Sequence, residues 1–207
     1  MYFIGVDLGW KDKYTTGVAV LDDNLKVKSL RVIKGADLFK FLGKYLGETG
    51  VIAIDAPLTV GKGKGKMRLY EKFLTTKPFR RWKVQPLPPA LIWKLADFGI
   101  EVSEKLQNKD FRLNTSLIEV FPTFIKKVGK HLPKVKVEDK NKVDAFVCAF
   151  TAYLHFKDET FWIGWRDGRL YFPLFYYWKK NFRDTFNKIW RKKHRLKYRL
   201  LLSNLRI

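Results

Sequence analysis

Two short apolar segments of this chain each end in an aspartate. Residues 2–7 read Tyr-Phe-Ile-Gly-Val-Asp, and residues 51–55 read Val-Ile-Ala-Ile-Asp. Between them, apolar side chains recur at helical spacing over residues 36–47, which predicts a helix. A strand, a helix and a second strand in this order form a right-handed crossover between parallel strands. The chain is therefore expected to form an α/β fold, with Asp7 and Asp55 at the carboxyl ends of two strands.

The other periodic segments predict a mixed sheet that is flanked by helices. Two strands that follow the first one complete an antiparallel meander, because a polar turn joins them. The additional predicted strands are residues 16–21, 25–33 and 116–122, and a hairpin is predicted around Asp167-Gly168. The additional predicted helices are residues 67–74, 91–98, 102–106 and 143–156.

Glycine, proline and charge divide the chain into a domain and a tail. Residues 1–173 are predicted to form one domain, with an insertion at about residues 60–115 that includes a proline-rich loop over residues 77–89. Beyond it, residues 179–207 contain eleven Lys or Arg and one Asp. Their apolar side chains fall near helical spacing, so residues 174–207 are predicted to form a basic amphipathic helical tail.

The chain carries a strong excess of positive charge. Its 42 Lys and Arg outnumber its 20 Asp and Glu, for a formal net charge of +22. Repulsion of this size opposes compaction, and nucleic acid is the commonest polyanion that offsets it. A solvated, mutually repelling surface is the alternative. We expect DNA or RNA as the partner, bound through its phosphates. The predicted contact residues are Lys11, Lys62, Lys64, Lys66, Arg68, Arg191, Lys192, Lys193 and Arg195.

Cysteine content and the apolar runs indicate the compartment. One cysteine, Cys148, excludes an internal disulfide and fits an intracellular, cytoplasmic location. The first residues lack the basic segment of a signal peptide and reach a carboxylate at Asp7. No uncharged apolar run approaches the roughly 18 residues of a membrane helix, so no membrane association is expected.

Four carboxylates stand where chemistry is expected. Asp7 and Asp55 end apolar strands, Glu119 lies inside a third strand, and Asp144 lies at the start of the long apolar helix. Carboxylates on neighbouring strands, about 5 Å apart, repel each other unless a proton or a cation intervenes. Hard oxygen ligands favour Mg²⁺ or Mn²⁺, and two such ions activate water and stabilise the leaving oxygen of a phosphodiester. The pattern therefore predicts a divalent-metal site.

Each carboxylate also has a purely structural alternative. Asp7 could cap a turn, and Asp55 could form an Asx turn. Asp144 could cap its helix, and Glu119 could face solvent. These alternatives do not explain why two apolar strands both end in aspartate.

Two further sequence features bear on nucleotide binding. The Gly-Lys repeats end in Gly65-Lys66-Met67, whereas a phosphate-binding loop requires Ser or Thr after the lysine, so a mobile basic loop is predicted instead. Base stacking is one role for the tryptophans, and packing is the alternative. The candidates are Trp10, Trp82, Trp93 and Trp190.

The segments that carry these carboxylates resemble a known family. They occur in the order Gly5–Asp7, Ile52–Leu58, Ile118–Pro122 and Val143–Ala152, and they resemble the predicted-nuclease family known as domain of unknown function 429. The resemblance covers roughly residues 1–173, and the closing segment Trp165–Pro173 resembles the family's end.

The resemblance implies a fold and an activity. The fold is ribonuclease H-like, with a meander, a helix and then parallel strands around a central first strand. The activity is metal-dependent hydrolysis of DNA or RNA by Asp7, Asp55, Glu119 and Asp144. Asp7, Asp55 and Asp144 would bind one or two Mg²⁺ or Mn²⁺ ions, with Glu119 as a fourth ligand. Arg68 and Glu71 fill the positions of an Arg-acid pair in the family's insertion, with Glu in place of the usual Asp.

Two other functions are compatible with the same residues. One is a non-catalytic nucleic-acid-binding protein on this fold, in which the basic tail supplies the affinity. The other is an ATP-using enzyme of the actin and sugar-kinase superfamily, which Asp7-Leu8-Gly9 and Thr15-Thr16-Gly17 faintly resemble. That superfamily usually needs two such domains, and the chain lacks a second glycine-rich phosphate turn.

Overall fold

The first apolar segment forms the central strand of a five-stranded mixed sheet in the computed structural model, which describes residues 1–62, 64–192 and 200–203. The strands are β1 (Tyr2–Asp7), β2 (Tyr14–Asp22), β3 (Val27–Lys34), β4 (Thr49–Asp55) and β5 (Leu117–Glu119). Their order across the sheet is β3-β2-β1-β4-β5. β1 pairs antiparallel with β2 and parallel with β4, which confirms both the meander and the crossover.

Helices flank this sheet, and a second, smaller sheet lies beside it. The helices are α1 (Leu38–Leu42), α2 (Leu69–Leu74), α3 (Lys77–Arg81), α4 (Trp93–Gln107), α5 (Pro122–Val128), α6 (Lys140–Phe156) and α7 (Lys180–Arg191). The second sheet consists of β6 (Thr160–Trp165), β7 (Gly168–Pro173) and β8 (Leu201–Leu202), in the order β7-β6-β8. Within the described ranges, no helix is long and apolar enough to cross a membrane.

Alternating side chains of β1 bury two hydrophobic cores on opposite faces of the large sheet. Phe3 packs in the core that α6 covers, whereas Ile4 and Val6 pack in the core that α4 covers. By the same alternation, Asp7 faces the side of α6. Asp55 is the partner of Asp7 in the next strand and shares this face.

Helix α6 lies directly on the backbone of the sheet. A Cβ atom at Gly5 would stand 2.1 Å from the carbonyl oxygen of Ala145, and one at Gly17 would stand 2.1 Å from that of Asn141. Only glycine permits this approach. The contact fixes the first turns of α6 over β1 and β2, next to the strand ends that carry the aspartates.

The described part of the predicted tail is not a separate arm. In α7, Phe186 and Trp190 are buried in the main core, where Trp190 packs edge-on against Phe73 of α2 at 5.5 Å. The helix itself was expected from the periodicity, but its apolar face belongs to the folded body because large aromatic rings cover it. Residues 193–199, including the predicted contacts Lys193 and Arg195, lie outside the described part of the chain.

Four local predictions differ from the structure. The helix expected over residues 36–47 is α-helical only over Leu38–Leu42. The expected loop over residues 77–89 begins with helix α3, because Pro78 fits the first turn of a helix. The two expected helices over residues 91–106 form one helix, α4. The strand expected over residues 116–122 ends at Glu119, because Pro122 starts α5.

Candidate functional site

Asp7 and Asp55 stand side by side at the carboxyl edge of the sheet. They are the last residues of β1 and β4, and they are paired directly in the parallel register. Neighbouring strands lie about 4.8 Å apart, so the two carboxylates share one small volume on the α6 face. Among the described residues, neither carboxylate has a hydrogen bond or an ion pair. Two adjacent carboxylates without hydrogen-bond donors favour a proton or a cation between them.

Asp144 adds a third carboxylate from above the sheet. It lies in the second turn of α6 and is 2% exposed. The helix is capped by Asp139, whose side chain accepts a hydrogen bond from the Lys142 amide at 3.1 Å, so Asp144 is not a cap. Its charge raises the pKa values of both Asp7 and Asp55, which indicates that the three carboxylates interact.

The electrostatics of the site disfavour full ionisation. Burial raises the pKa of Asp7 to about 7, with a further contribution from Asp144. Burial also raises the pKa of Asp55 well above its usual value, and the charges of Asp7 and Asp144 add to this rise. Lys126 opposes both shifts. Burial and mutual repulsion of the carboxylates therefore outweigh the nearby lysines in raising these pKa values.

Lys126 supplies the nearest positive charge. Its ammonium group, on α5, forms an ion pair with the buried Asp144 carboxylate, and its side chain is 32% exposed. Among the described residues, no three His, Cys, Asp or Glu side chains are grouped so as to hold a metal ion. The oxygen donors of Asp7, Asp55 and Asp144 suit a hard cation in charge and chemistry. However, Lys126 already forms an ion pair with the carboxylate of Asp144, the third of these ligands.

Glu119 belongs to a buried network of hydrogen bonds and ion pairs. Its carboxylate accepts hydrogen bonds from the Arg68 guanidinium at 2.6 Å, from the Leu58 amide at 2.9 Å and from the Tyr70 hydroxyl. Arg68 also pairs with Glu71 at 2.5 Å. Each oxygen of Glu119 therefore has a donor, unlike those of Asp7 and Asp55. The network ties the insertion to the end of β5.

The prediction that Arg68 contacts nucleic acid phosphates at the surface is wrong in this structure. Arg68 is 1% exposed, and its guanidinium group points into the protein toward Glu71 and Glu119. Burial alone would lower the pKa of Arg68, but the two carboxylates outweigh it and raise the pKa. Its ion pairs stabilise the insertion instead.

The carboxylates open into a cleft of about 430 Å³. Asp7, Asp55 and Glu119 line it together with Lys140 of α6 and residues 85–87 of the insertion. A second cleft of about 630 Å³ adjoins it, because Leu95 of α4 lines both. The carboxylate site is thus open to solvent and continuous with a neighbouring surface.

Two of the four candidate tryptophans line the second cleft. Trp10 is 45% exposed and Trp93 is 55% exposed. The other two pack instead, since Trp190 lies in the core and Trp82 packs against Phe182 at 4.6 Å. Exposed indole rings beside an open cleft are available for stacking.

The remaining predicted contact residues are spread over the surface. Lys62, Lys64 and Lys66 are exposed in the basic loop. Lys11 lines the tryptophan cleft and pairs with Glu101 at 3.0 Å. The last two, Arg191 and Lys192, are exposed at the end of α7. The structure does not bring these residues together into one site.

The turn after β1 satisfies its own backbone donors. The amide of Gly9 donates to the Thr16 hydroxyl at 3.1 Å, and the amide of Trp10 donates to the Thr15 hydroxyl at 2.9 Å. These two amides are therefore not free to bind a phosphate. Their engagement argues against the ATP-using alternative.

No protein-family model, curated protein or solved structure was found to match this chain. The resemblance to domain of unknown function 429 therefore stays a prediction.

Proposed function

We propose that the chain is a divalent-metal-dependent nuclease on a ribonuclease H-like fold. The observation that carries the proposal is the in-register pair of Asp7 and Asp55 at adjacent strand ends, with Asp144 above them. The strand order β3-β2-β1-β4-β5, with an antiparallel meander and a central first strand, supports the fold assignment. The resemblance to the predicted-nuclease family supports the same reaction.

The position of each proposed site residue indicates its role. Asp7, Asp55 and Asp144 would hold one or two Mg²⁺ or Mn²⁺ ions, which supply an activated water and stabilise the leaving oxygen. Lys140 lines the cleft and is placed to bind a phosphate beside the carboxylates. Glu119 and Arg68 would hold the strand end and the insertion in place, since both are buried and form an ion pair at 2.6 Å.

Two surface features support nucleic acid as the substrate. The net charge of +22 favours a polyanion. In addition, Trp10 and Trp93 offer exposed rings next to the carboxylate cleft, and such rings bind unpaired bases by stacking.

The second candidate is a nucleic-acid-binding protein without catalysis. The Lys126–Asp144 ion pair favours it, because an internal ammonium group already compensates one of the three carboxylates. The absence of a three-ligand group among the residues described is consistent with this view. Such a protein would bind DNA or RNA with strong salt dependence and no turnover.

The test is cleavage of labelled DNA and RNA as single strands, duplexes and branched forms, with Mn²⁺ or Mg²⁺. We expect the wild type to cleave at least one form, and Asp7→Asn and Asp55→Asn to bind it without cleavage. The matched control is Asp158→Asn, an exposed aspartate beyond the opposite end of α6, which should cleave normally.

The outcomes separate the two candidates. Cleavage that Asp7→Asn retains in full would overturn the assignment of the site. Binding without cleavage by every variant would exclude the nuclease and leave the non-catalytic binder.

A further inference from the structure

Two basic segments that are distant in sequence lie side by side. The Lys179 amide donates to the Val128 carbonyl at 2.8 Å, and the Lys130 amide donates to the Tyr177 carbonyl at 2.8 Å. The Lys179 ammonium also donates to the Lys127 carbonyl at 3.3 Å. The end of α5 and the start of α7 are therefore joined through their backbones.

The joined segments carry a large excess of positive charge. Residues 120–137 contain five Lys and no Asp or Glu, and residues 174–192 contain six Lys or Arg and one Asp. The basic face is defined here as the cations that these segments present at and beside their junction. It comprises Lys127, Lys130, Lys179 and Lys180, all exposed except Lys130, which is half-buried.

The basic face begins at the carboxylate site. Lys126 precedes Lys127 on α5 and contacts Asp144 directly. From there the face extends over Lys179 and Lys180 onto α7. At the junction, Tyr176 is 70% exposed and the Lys130 ammonium lies 5.5 Å from its ring centre, so an aromatic surface accompanies the cations.

We propose that the basic face binds the sugar-phosphate backbone of the nucleic acid whose scissile phosphate enters the carboxylate cleft. This inference rests on the proposed function, since it names the surface by which that site holds its substrate. Exposed lysines without a shape-specific pocket match a repeating phosphate charge, and they would read no sequence. Among the described residues, Lys62, Lys64 and Lys66 form no hydrogen bond or ion pair with this face.

A lipid surface is the competing polyanion, and the packing of α7 argues against it. Basic helices that bind membranes insert an apolar face among the lipid chains. The apolar face of α7 is already covered, because Phe186 and Trp190 are buried in the core. The helix retains cations for an anionic partner and no free apolar stripe.

The test measures binding in EDTA, where no metal-dependent cleavage can occur. Fluorescein-labelled single-stranded and duplex DNA and RNA would be titrated with the wild type and with a Lys127→Gln, Lys179→Gln double variant. The matched control is a Lys44→Gln, Lys157→Gln double variant, with the same charge change at exposed lysines outside the basic face. Thermal midpoints would establish that all three proteins are folded.

The expected result is a change in salt dependence. If both lysines contact phosphates, the slope of log Kobs against log salt should become less negative in the double variant, by about 1.8 for duplex DNA or about 1.4 for a single strand. The control should keep the slope of the wild type. Equal slopes in all three proteins would show that the basic face does not bind the nucleic acid. The protein would still be a nucleic-acid-binding protein, with another surface as the contact. No binding by the wild type, or tighter binding to anionic vesicles than to any nucleic acid, would overturn the proposed partner as well.

Discussion

Lys126 and Asp144 form an ion pair between helices α5 and α6 at the point where a metal ligand is expected. The pair makes the ammonium group a competitor of any divalent cation, because both need the same carboxylate. Binding of a metal by all three aspartates requires Lys126 to move, and its partly exposed side chain leaves room for that movement.

Substitution Lys126→Gln should therefore separate metal affinity from stability. Without metal, the variant should melt below the wild type, because a buried carboxylate loses its charged partner. With Mn²⁺, its thermal midpoint should rise more steeply than that of the wild type, because the competing cation is gone. The control is Lys127→Gln, at the exposed neighbour on the same helix. It should change neither the thermal midpoint without metal nor its rise with Mn²⁺. A smaller Mn²⁺ response in Lys126→Gln than in the wild type would contradict the competition.

Substitution Asp7→Asn should stabilise the metal-free protein at neutral and alkaline pH. Folding raises the pKa of Asp7 from 3.8 to about 7, so the folded state binds more protons than the unfolded chain between these values. The free energy of unfolding contributed by this group is thus highest in acid and falls as pH rises through about 7. Above that pH the variant should exceed the wild type by up to about 4 kcal/mol, and the difference should vanish near pH 3.8.

Urea unfolding in EDTA across this pH range measures that difference. Asp158→Asn should track the wild type, because its carboxylate is exposed at the other end of α6. If the free energy of unfolding changed with pH in the same way for Asp7→Asn and the wild type, the carboxylate of Asp7 would not destabilise the fold.

Substitution Arg68→Met should destabilise the fold severely. It leaves Glu71 and Glu119 buried without their charged partner, which costs about 3–5 kcal/mol. The double variant Arg68→Met, Glu119→Gln should recover part of that loss, because one uncompensated charge is removed. Equilibrium unfolding in urea provides the comparison. If Arg68→Met were as stable as the wild type, the ion pairs of Arg68 would contribute nothing to the free energy of unfolding.

Substitutions Trp10→Ala and Trp93→Ala should weaken binding to single strands more than to duplexes. Each lost stacking contact costs about 1–3 kcal/mol, or roughly 5- to 150-fold in Kd. Phe156→Ala, equally exposed at the far end of α6, is the control and should bind normally. Fluorescence anisotropy with labelled single strands measures the effect, and an unchanged Kd in both tryptophan variants would remove the stacking role.

The sequence predicted the elements that local patterns encode. The apolar runs that end in Asp7 and Asp55 gave the two strands, because a continuous buried strand is visible in one segment. The long apolar run around Asp144 gave α6 for the same reason. The parallel direction of the two strands followed from the crossover, but their register, which pairs Asp7 with Asp55, was not visible in the sequence.

The partners of the site residues were not visible in the sequence. Arg68 looks exposed beside a Gly-Lys loop, but its partner Glu119 lies 51 residues away and pairs with it only in the fold. Lys126 lies on the short helix α5, which has no extended periodicity to mark it. The apolar face of α7 was visible, yet the rings that cover it come from four other segments, so its burial depends on tertiary packing.

The contact of α6 with Gly5 and Gly17 bears on ion discrimination. A helix seated backbone against backbone has no intervening side chain that could change rotamer, so the height of Asp144 above the two strand-end aspartates is set by the main chain. Mg²⁺ requires short, nearly octahedral coordination at about 2.0–2.1 Å, whereas Ca²⁺ accepts longer and more variable ligand distances. If the three aspartates hold the proposed metal, a rigid spacing of this kind would favour an ion of one radius. Gly5→Ala should weaken metal binding, because its Cβ would stand 2.1 Å from the Ala145 carbonyl oxygen and displace α6 from the sheet.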